Sequence, residues 1–376
     1  MDKRFFKPTG LNQSGQLSKL SFHEYQDHIR NAILHARAFV SEDHAKTAAL
    51  CAPFEWKPAF PTQKGVLLIH GLLDTPFITR DLATFFVSQG FCVRSILLPG
   101  HGTVPADLTT IKYSAWVDSV NYAIADFQKT VRKLYVGGFS LGGLLAINAA
   151  LEHNTLQGLF LFVPANKIKS PLAPFAECHK LISFAIPRAK WLTQFNENDP
   201  VRYQSIAING GAQVYHLAHR VKQKLSVASL KIPLFMALTM DDETVDPLAS
   251  LAFFQKQSHP NNQALLFTNN KNHYGLHNVT CVASAVPDEN IIHLSHTGIG
   301  VSPNNLHYGA QGDYTLLCRQ KITASHPQFG AIYDADKMMR EPTGFLKKSH
   351  PALYRLHYNP HFDQLTTNLK AFLMSL

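Results

Sequence analysis

Residues 133–151 narrow the range of folds more than any other stretch of the chain. Lys133-Leu134-Tyr135-Val136 is a short run of strand type, and Leu144 to Leu151 carries a helical signal. Between them stands Gly137-Gly138-Phe139-Ser140-Leu141-Gly142-Gly143. A serine on so tight a strand-to-helix turn is held in a strained backbone conformation, its hydroxyl projecting above the sheet. Gly138 and Gly142 lack the Cβ atoms that would collide with the neighbouring strand and helix, and Gly137 and Gly143 widen the clearance. The helix that follows points unpaired N–H groups and the positive end of its dipole at Ser140, which favours an oxyanion there. A nucleotide-binding turn is the competing reading. It is weakened because neither G-x-x-x-x-G-K-[ST] nor G-x-G-x-x-G occurs in the chain.

The flanking pattern repeats the strand–helix alternation. Gly65-Val66-Leu67-Leu68-Ile69-His70 is a continuous apolar run that breaks at Gly71, as suits a parallel strand buried on both faces. Asp81 to Gly90 reads as a helix stopped by its glycine. Phe91 to Leu98 reads as a strand ended by Pro99-Gly100-His101-Gly102, and Ser114 to Val131 as a helix with Trp116, Val120, Ile124 and Phe127 on one face. Further strands are expected at Gly158–Val163, Pro233–Leu238 and Ala264–Thr268, with a helix over 247–258 and another from Phe362 to Leu376. This order predicts an α/β protein: a mostly parallel, doubly wound sheet with helices on both faces. Residues 1–60 read as an N-terminal helical segment, with one amphipathic helix over 22–50. Residues 61–165 and 230–376 read as the two parts of the core, the second with an added strand pair. Residues 166–229, mixed and more polar, read as a cap insertion at the rim of the sheet.

Composition excludes several classes. Hydrophobic residues at 45% and charged residues at 16% describe a chain with a sizeable core rather than a disordered one. Net charge is +9, but the basic residues are scattered, so no nucleic-acid footprint is expected; a transient contact with an anionic membrane surface would suit the excess. Cys51, Cys92, Cys178, Cys281 and Cys318 are odd in number and widely spaced, which argues against a disulfide framework or a structural zinc site. His216 and His219 share a helix face without a third ligand in view, so no metal is expected. The N-terminal stretch has no apolar run of signal-peptide length, and a cytoplasmic location is the default expectation.

Two loops end strands at the edge where Ser140 is expected. His70-Gly71-Leu72 can donate the Leu72 N–H to a developing oxyanion, with the Leu141 N–H as the second donor. His70 and His101 read as structural supports of their loops.

Taken together, Gly65-Val-Leu-Leu-Ile-His70-Gly71, Leu98-Pro-Gly-His-Gly102, the stretch around Trp116, and Gly137-Gly-Phe-Ser-Leu-Gly-Gly143 resemble the α/β-hydrolases. The pattern is nearest that of bacterial monoacylglycerol lipases and related carboxylesterases or lysophospholipases. The resemblance is specific over 63–165, moderate over 230–250 and faint in 166–229, where such families carry a variable cap. It implies a Ser–Asp–His triad in that chain order and neither metal nor organic cofactor. Asp241, Asp242, Glu243 and Asp246 all follow the strand from Pro233. Asp246 precedes Pro247 and a helix, so an N-cap explains it. The family's pattern places the acid three residues before a valine, which favours Asp242, ahead of Asp241, before Val245.

The base has two main candidates. A plain hydrolase would use the loop after Ala264–Thr268, which holds His273. If Val279–Ala285 runs antiparallel and Asn290–Ser295 returns, His296 also reaches the carboxyl edge, and Ser295-His296-Thr297 resembles longer esterases of this kind. His296 is favoured, with His273 next. His293 reads as a packing residue and His307 as an exposed one. The expected function is hydrolysis of carboxylic esters through an acyl-enzyme, on a small-molecule or lipid-like acyl ester. Phe175, Leu181, Phe184, Ile186 and Trp191 of the insertion would wall the acyl group, or simply pack the cap onto the core. A thioesterase or amidase with the same triad, and a non-catalytic binding protein of the same fold, are the alternatives.

Overall fold

The computed structural model describes residues 1–13, 20–40, 43–169, 187–270, 277–320, 328–330 and 353–376. The chain divides into two compact units. One comprises Met1–Phe160 with Ser170–Ile232, the other Leu161–Lys169 with Pro233–Leu376.

The first unit opens with two helices, α1 (Phe22–Ala36) and α2 (His44–Cys51). The single helix expected over 22–50 is therefore two. Ser21 and Glu24 form a reciprocal capping box at the start of α1. Its end is held by Arg37, whose buried guanidinium donates to Thr103 O and Pro200 O. Asp43 caps the separate start of α2. An edge strand, β1 (Phe54–Trp56), follows and pairs antiparallel with β3 (Cys92–Ile96). Lying in a Pro-rich stretch, it left no strand signal in the sequence.

Next come β2 (Lys64–Ile69), α3 (Arg80–Ser88), β3 (Cys92–Ile96), α4 (Tyr113–Phe127), β4 (Lys133–Phe139), α5 (Leu141–Glu152) and β5 (Leu159–Phe162). The strand order here is β1-β3-β2-β4-β5, and β2 is parallel to both β3 and β4. In β2, Gly65 to Ile69 are buried in unbroken succession, as are all residues of β3. Because side chains alternate between faces, such runs require cover on both faces of the sheet. Arg94 sits within this apolar setting, paired with Glu55 and, at 2.8 Å, with Asp126. Of the insertion, β6 (Trp191–Thr193) and β7 (Ile206–Ala207) form a small antiparallel pair leading into α6 (Ile208–Leu225).

In the second unit the order is β5-β8-β9-β10, from β8 (Leu234–Thr239), α7 (Pro247–Gln255), β9 (Gln263–Phe267) and β10 (Val279–Val282). Asp246 caps α7 by accepting from the Leu248 and Ala249 amides, with Pro247 at the first helical position. Here the expected strand pair is corrected. β10 runs parallel to β9, not antiparallel, and residues 290–295 form no strand beyond a single bridge between Ile291 and Val286. β10 thus continues the parallel sense of β8 and β9. The unit continues through α8 (Asp313–Gln320), β11 (Gln328–Gly330) and β12 (Leu353–Arg355) to α9 (Phe362–Met374). Leu365, Leu369 and Phe372 of α9 are buried, and the Phe372 ring lies 5.7 Å from that of Phe235 in β8.

Among the described residues no helix is long and apolar enough to cross a membrane.

Candidate active site

In the first unit, β4 ends at Phe139 and α5 begins at Leu141, leaving Ser140 as the single residue between them. Its backbone has φ 55° and ψ −114°, a region that non-glycine residues enter only under constraint. The constraint is steric. A Cβ on Gly138 would lie 2.2 Å from the carbonyl of Gly142, and one on Gly142 would lie 2.0 Å from the Ile69 carbonyl oxygen in β2. The helix therefore starts almost in contact with two strands, and only a reversal at Ser140 lets the chain turn. Leu141 is the first helical residue, so its N–H is one of the four that an α-helix leaves without an internal acceptor.

The loop after β2 closes as tightly. A Cβ on Gly71 would lie 2.7 Å from an Asp74 carboxylate oxygen and 2.8 Å from the Phe139 ring. Leu72 is half-buried at its crest, and Leu73 adopts φ 72°. The insertion holds this loop in place. Tyr203 N–H donates to Leu73 O, Thr75 Oγ1 to Val201 O, and Arg202 lies 3.3 Å from Asp74.

His70 and His101 are fully buried below the loop. His70 Nε2 accepts from the Leu98 amide at 3.0 Å, so Nδ1, 2.8 Å from Gly71 O, carries the proton. Burial, helped by the neighbouring His101, pushes the His70 pKa well down, and burial takes His101 to about 4. Both rings are neutral supports, with His101 stacked against Tyr203.

In the second unit, Asp242 follows β8 and is fully buried. Its Oδ1 accepts from the Thr244 and Val245 amides at 2.7 and 2.8 Å. Its Oδ2 lies 2.6 Å from Nδ1 of His296, a charge-assisted contact that fixes the imidazole ring. His296 is 3% exposed and opens a short 3-10 turn.

The other acids have partners of their own. Asp241 accepts from Ser284 Oγ at 2.8 Å, Asp246 caps α7, and Glu243 accepts the backbone N–H of His296 at 3.0 Å. Arg355, which carried no signal in the sequence, lies 3.2 Å from Glu243.

His293 is nearly buried, and burial lowers its pKa. His307, expected to be exposed, is half-buried, its ring against Tyr308 and Tyr314. His273, Phe175, Leu181, Phe184 and Ile186 lie outside the described residues. Trp191 is half-buried, its ring edge-on to Phe6 at 5.1 Å. His219 meets Gln223 at 3.0 Å, and among the described residues no three His, Cys, Asp or Glu side chains gather as a metal site.

A thermostable monoacylglycerol lipase of Bacillus sp. (strain H-257) is 34% identical over 102 residues, 27% of this chain and 40% of that protein. A pimeloyl-[acyl-carrier protein] methyl ester esterase of Aromatoleum aromaticum (strain DSM 19018 / LMG 30748 / EbN1) is 35% identical over 88 residues, 23% of this chain and 32% of that protein. The chain thus spans two fifths or less of the curated relatives it matches. Among solved structures, one reported with LipS and LipT, two metagenome-derived lipolytic enzymes, superposes with a TM-score of 0.50 at 21% identity. It covers 58% of this chain and 87% of its own, a likeness of fold. The family model described as serine aminopeptidase, S33, matches residues 61–277, more than half of the chain. With its elbow serine on a mostly parallel sheet, the protein belongs to that family of α/β-hydrolase-fold serine hydrolases.

Proposed function

We propose that the protein hydrolyses carboxylic esters through an acyl-enzyme, with Ser140 as nucleophile, His296 as base and Asp242 as the acid that orients it. The observation that carries this reading is the backbone of Ser140, held at φ 55° between β4 and α5. Strain of that kind persists only where the surrounding structure enforces it, and it presents the side chain at the top of a sheet. The buried Asp242–His296 pair and the likeness to a monoacylglycerol lipase support it further.

In this mechanism Ser140 Oγ attacks the acyl carbon while its proton passes to Nε2 of His296. The Leu72 and Leu141 amides donate to the oxyanion. Asp242, accepting from Nδ1, keeps the reactive tautomer and stabilises the imidazolium. The imidazolium then protonates the departing alkoxide. Water, deprotonated by the same histidine, attacks the acyl carbon, and the C–O bond to Ser140 breaks to release the acid. A lipid-like acyl ester is the proposed substrate, with the insertion forming its cap.

The family's own description, an aminopeptidase, favours a second reading in which the same groups cleave an amide. Labelling by a fluorophosphonate probe, lost in Ser140→Ala, tests the nucleophile. A panel of p-nitrophenyl esters of rising acyl length beside aminoacyl anilides then separates the readings. Faster turnover of the anilides would overturn ester hydrolysis as the main activity. No labelling of the folded protein would leave a non-catalytic binding protein.

A further inference from the structure

Glu243 directly follows the proposed acid, and the triad has no role for it. Its side chain is nevertheless fully buried. An ionised carboxylate in such a place is costly unless paired and hydrogen-bonded. Glu243 has both kinds of partner: Oε2 accepts the His296 backbone N–H at 3.0 Å, and Oε1 lies 3.2 Å from the Arg355 guanidinium.

Arg355 closes β12, and the residues after it grip the same loop. Leu356 O accepts from Ser295 Oγ and, at 3.4 Å, from Thr297 Oγ1, the two residues that flank His296. A Cβ on Gly298 would lie 2.6 Å from Tyr358 O. The Asn359 amide donates to Val301 O, and its side chain to Ile299 O. The loop carrying His296 has one short 3-10 turn and no strand pairing, so its shape depends on these outside contacts.

We propose that Glu243 and Arg355 are positioning residues for His296: Glu243 holds the histidine backbone so that the ring meets Asp242, and Arg355 holds Glu243 in place and offsets its charge at the imidazole. The inference rests on the triad reading above. Besides Asp242, Glu243 and Arg355, the charged and titratable groups near this loop among the described residues include Asp241, His293, Tyr358, whose backbone packs on Gly298, and Lys169, whose ammonium donates to the Asp242 carbonyl. His293 senses the charges of both Asp241 and Glu243.

The test uses the full-length enzyme, and its two main variants should shift the pH profile in opposite directions. Glu243→Gln keeps an oxygen for the His296 N–H but removes a negative charge. The imidazolium is then less favoured, and the acid limb of kcat/KM on p-nitrophenyl butyrate should move to lower pH. Arg355→Met leaves the carboxylate uncompensated, so the limb should move to higher pH. Shifts of about half a unit each way are expected. They should accompany a fall in kcat on the order of tenfold, with KM changed far less. Arg355→Lys, which retains the charge, should return the limb to its wild-type position. A pair serving stability alone would lower the melting temperature without moving the limb. Unshifted profiles in folded variants, or shifts of one sign, overturn the proposal. If a single variant loses its cooperative melting transition, the doubly neutral Glu243→Gln/Arg355→Met variant decides by its kcat, and a wild-type value overturns the proposal. Wild-type enzyme that neither labels with fluorophosphonate nor turns over the ester sinks the triad reading itself. Labelled, active wild type with unshifted variants sinks only the positioning role.

Discussion

At the scale of single residues, the site depends on atoms that are missing as much as on those present. The Cβ absent from Gly142 would stand 2.0 Å from a β2 carbonyl, so Gly142→Ala must push α5 off the sheet. We expect a loss of about 3 kcal/mol or more, read as a lower melting temperature, together with loss of ester turnover. A variant that melts with the wild type would show that the strand–helix gap can open freely. The histidines make a sharper pair. His296→Ala should lower kcat by about 10³ or more, while His273→Ala stays active; the reverse outcome would transfer the proposed role to His273.

His70 and His101 govern acid stability. Both titrate below the ordinary histidine range because burial disfavours their charged forms. The unfolded chain therefore binds these protons more readily than the folded one. Their contribution is complete above about pH 6.5, the unfolded value. It is lost as the pH falls from there towards about 4, where His101 titrates in the folded protein. Urea unfolding across that window should show stability falling with pH, and His101→Gln should make the slope shallower. An equal slope in the variant would remove His101 from the account.

At the scale of elements, the insertion is stitched to the loop after β2 through Tyr203, Val201 and Arg202. Its influence on the site should therefore fall on substrate fit. Trp191→Ala is expected to change the acyl-length preference while short esters still turn over. Uniform loss on all esters, with the fold intact, would argue against a cap role. Helix and strand types were legible where the apolar pattern was strong, as in the one-faced stripe of α4 and the unbroken run of β2. Two elements were not. α1 and α2 share one apolar pattern, and the break is marked by the tertiary partners of Arg37 and by the Asp43 cap that starts α2. Residues 290–295 have strand-like composition, yet among the described residues Ile291 pairs only with Val286 and the rest find no neighbouring strand. Strand propensity records a fit to a half-buried surface, and a surface must be there to fit.

At the scale of the whole chain, the N-terminal segment is tied into the first unit. Asp107 is fully buried and accepts from the Thr9 amide and hydroxyl, the Gly10 amide and the Thr103 hydroxyl. The Asn12 side chain donates to Leu98 O and His101 O, gripping the loop that ends β3. Removing residues 1–12 would strip the buried Asp107 carboxylate of its Thr9 and Gly10 donors and take the Asn12 amide from Leu98 O and His101 O. The truncated protein should melt several degrees lower and lose ester turnover. A truncated form with unchanged melting would mean that water replaces these donors.

The sequence by itself determined the parts that local chemistry encodes. Buried parallel strands need continuous apolar runs, and a serine on a strained turn needs glycine at both sides, so the sheet and the elbow could be read residue by residue. Asp242 was favoured by the family resemblance rather than by local chemistry; its carboxylate accepts from the amides of Thr244 and Val245, so Asp242 and the valine three residues on belong to one turn. What joins distant segments was decided only by the tertiary structure. Nothing local to His296 says that Asp242 is its partner, and nothing near Glu243 points to Arg355. Whether β10 would run parallel or antiparallel was equally open. Such pairings follow from which surfaces come together once long loops have closed, and that depends on the packing of the whole chain rather than on any window of its sequence.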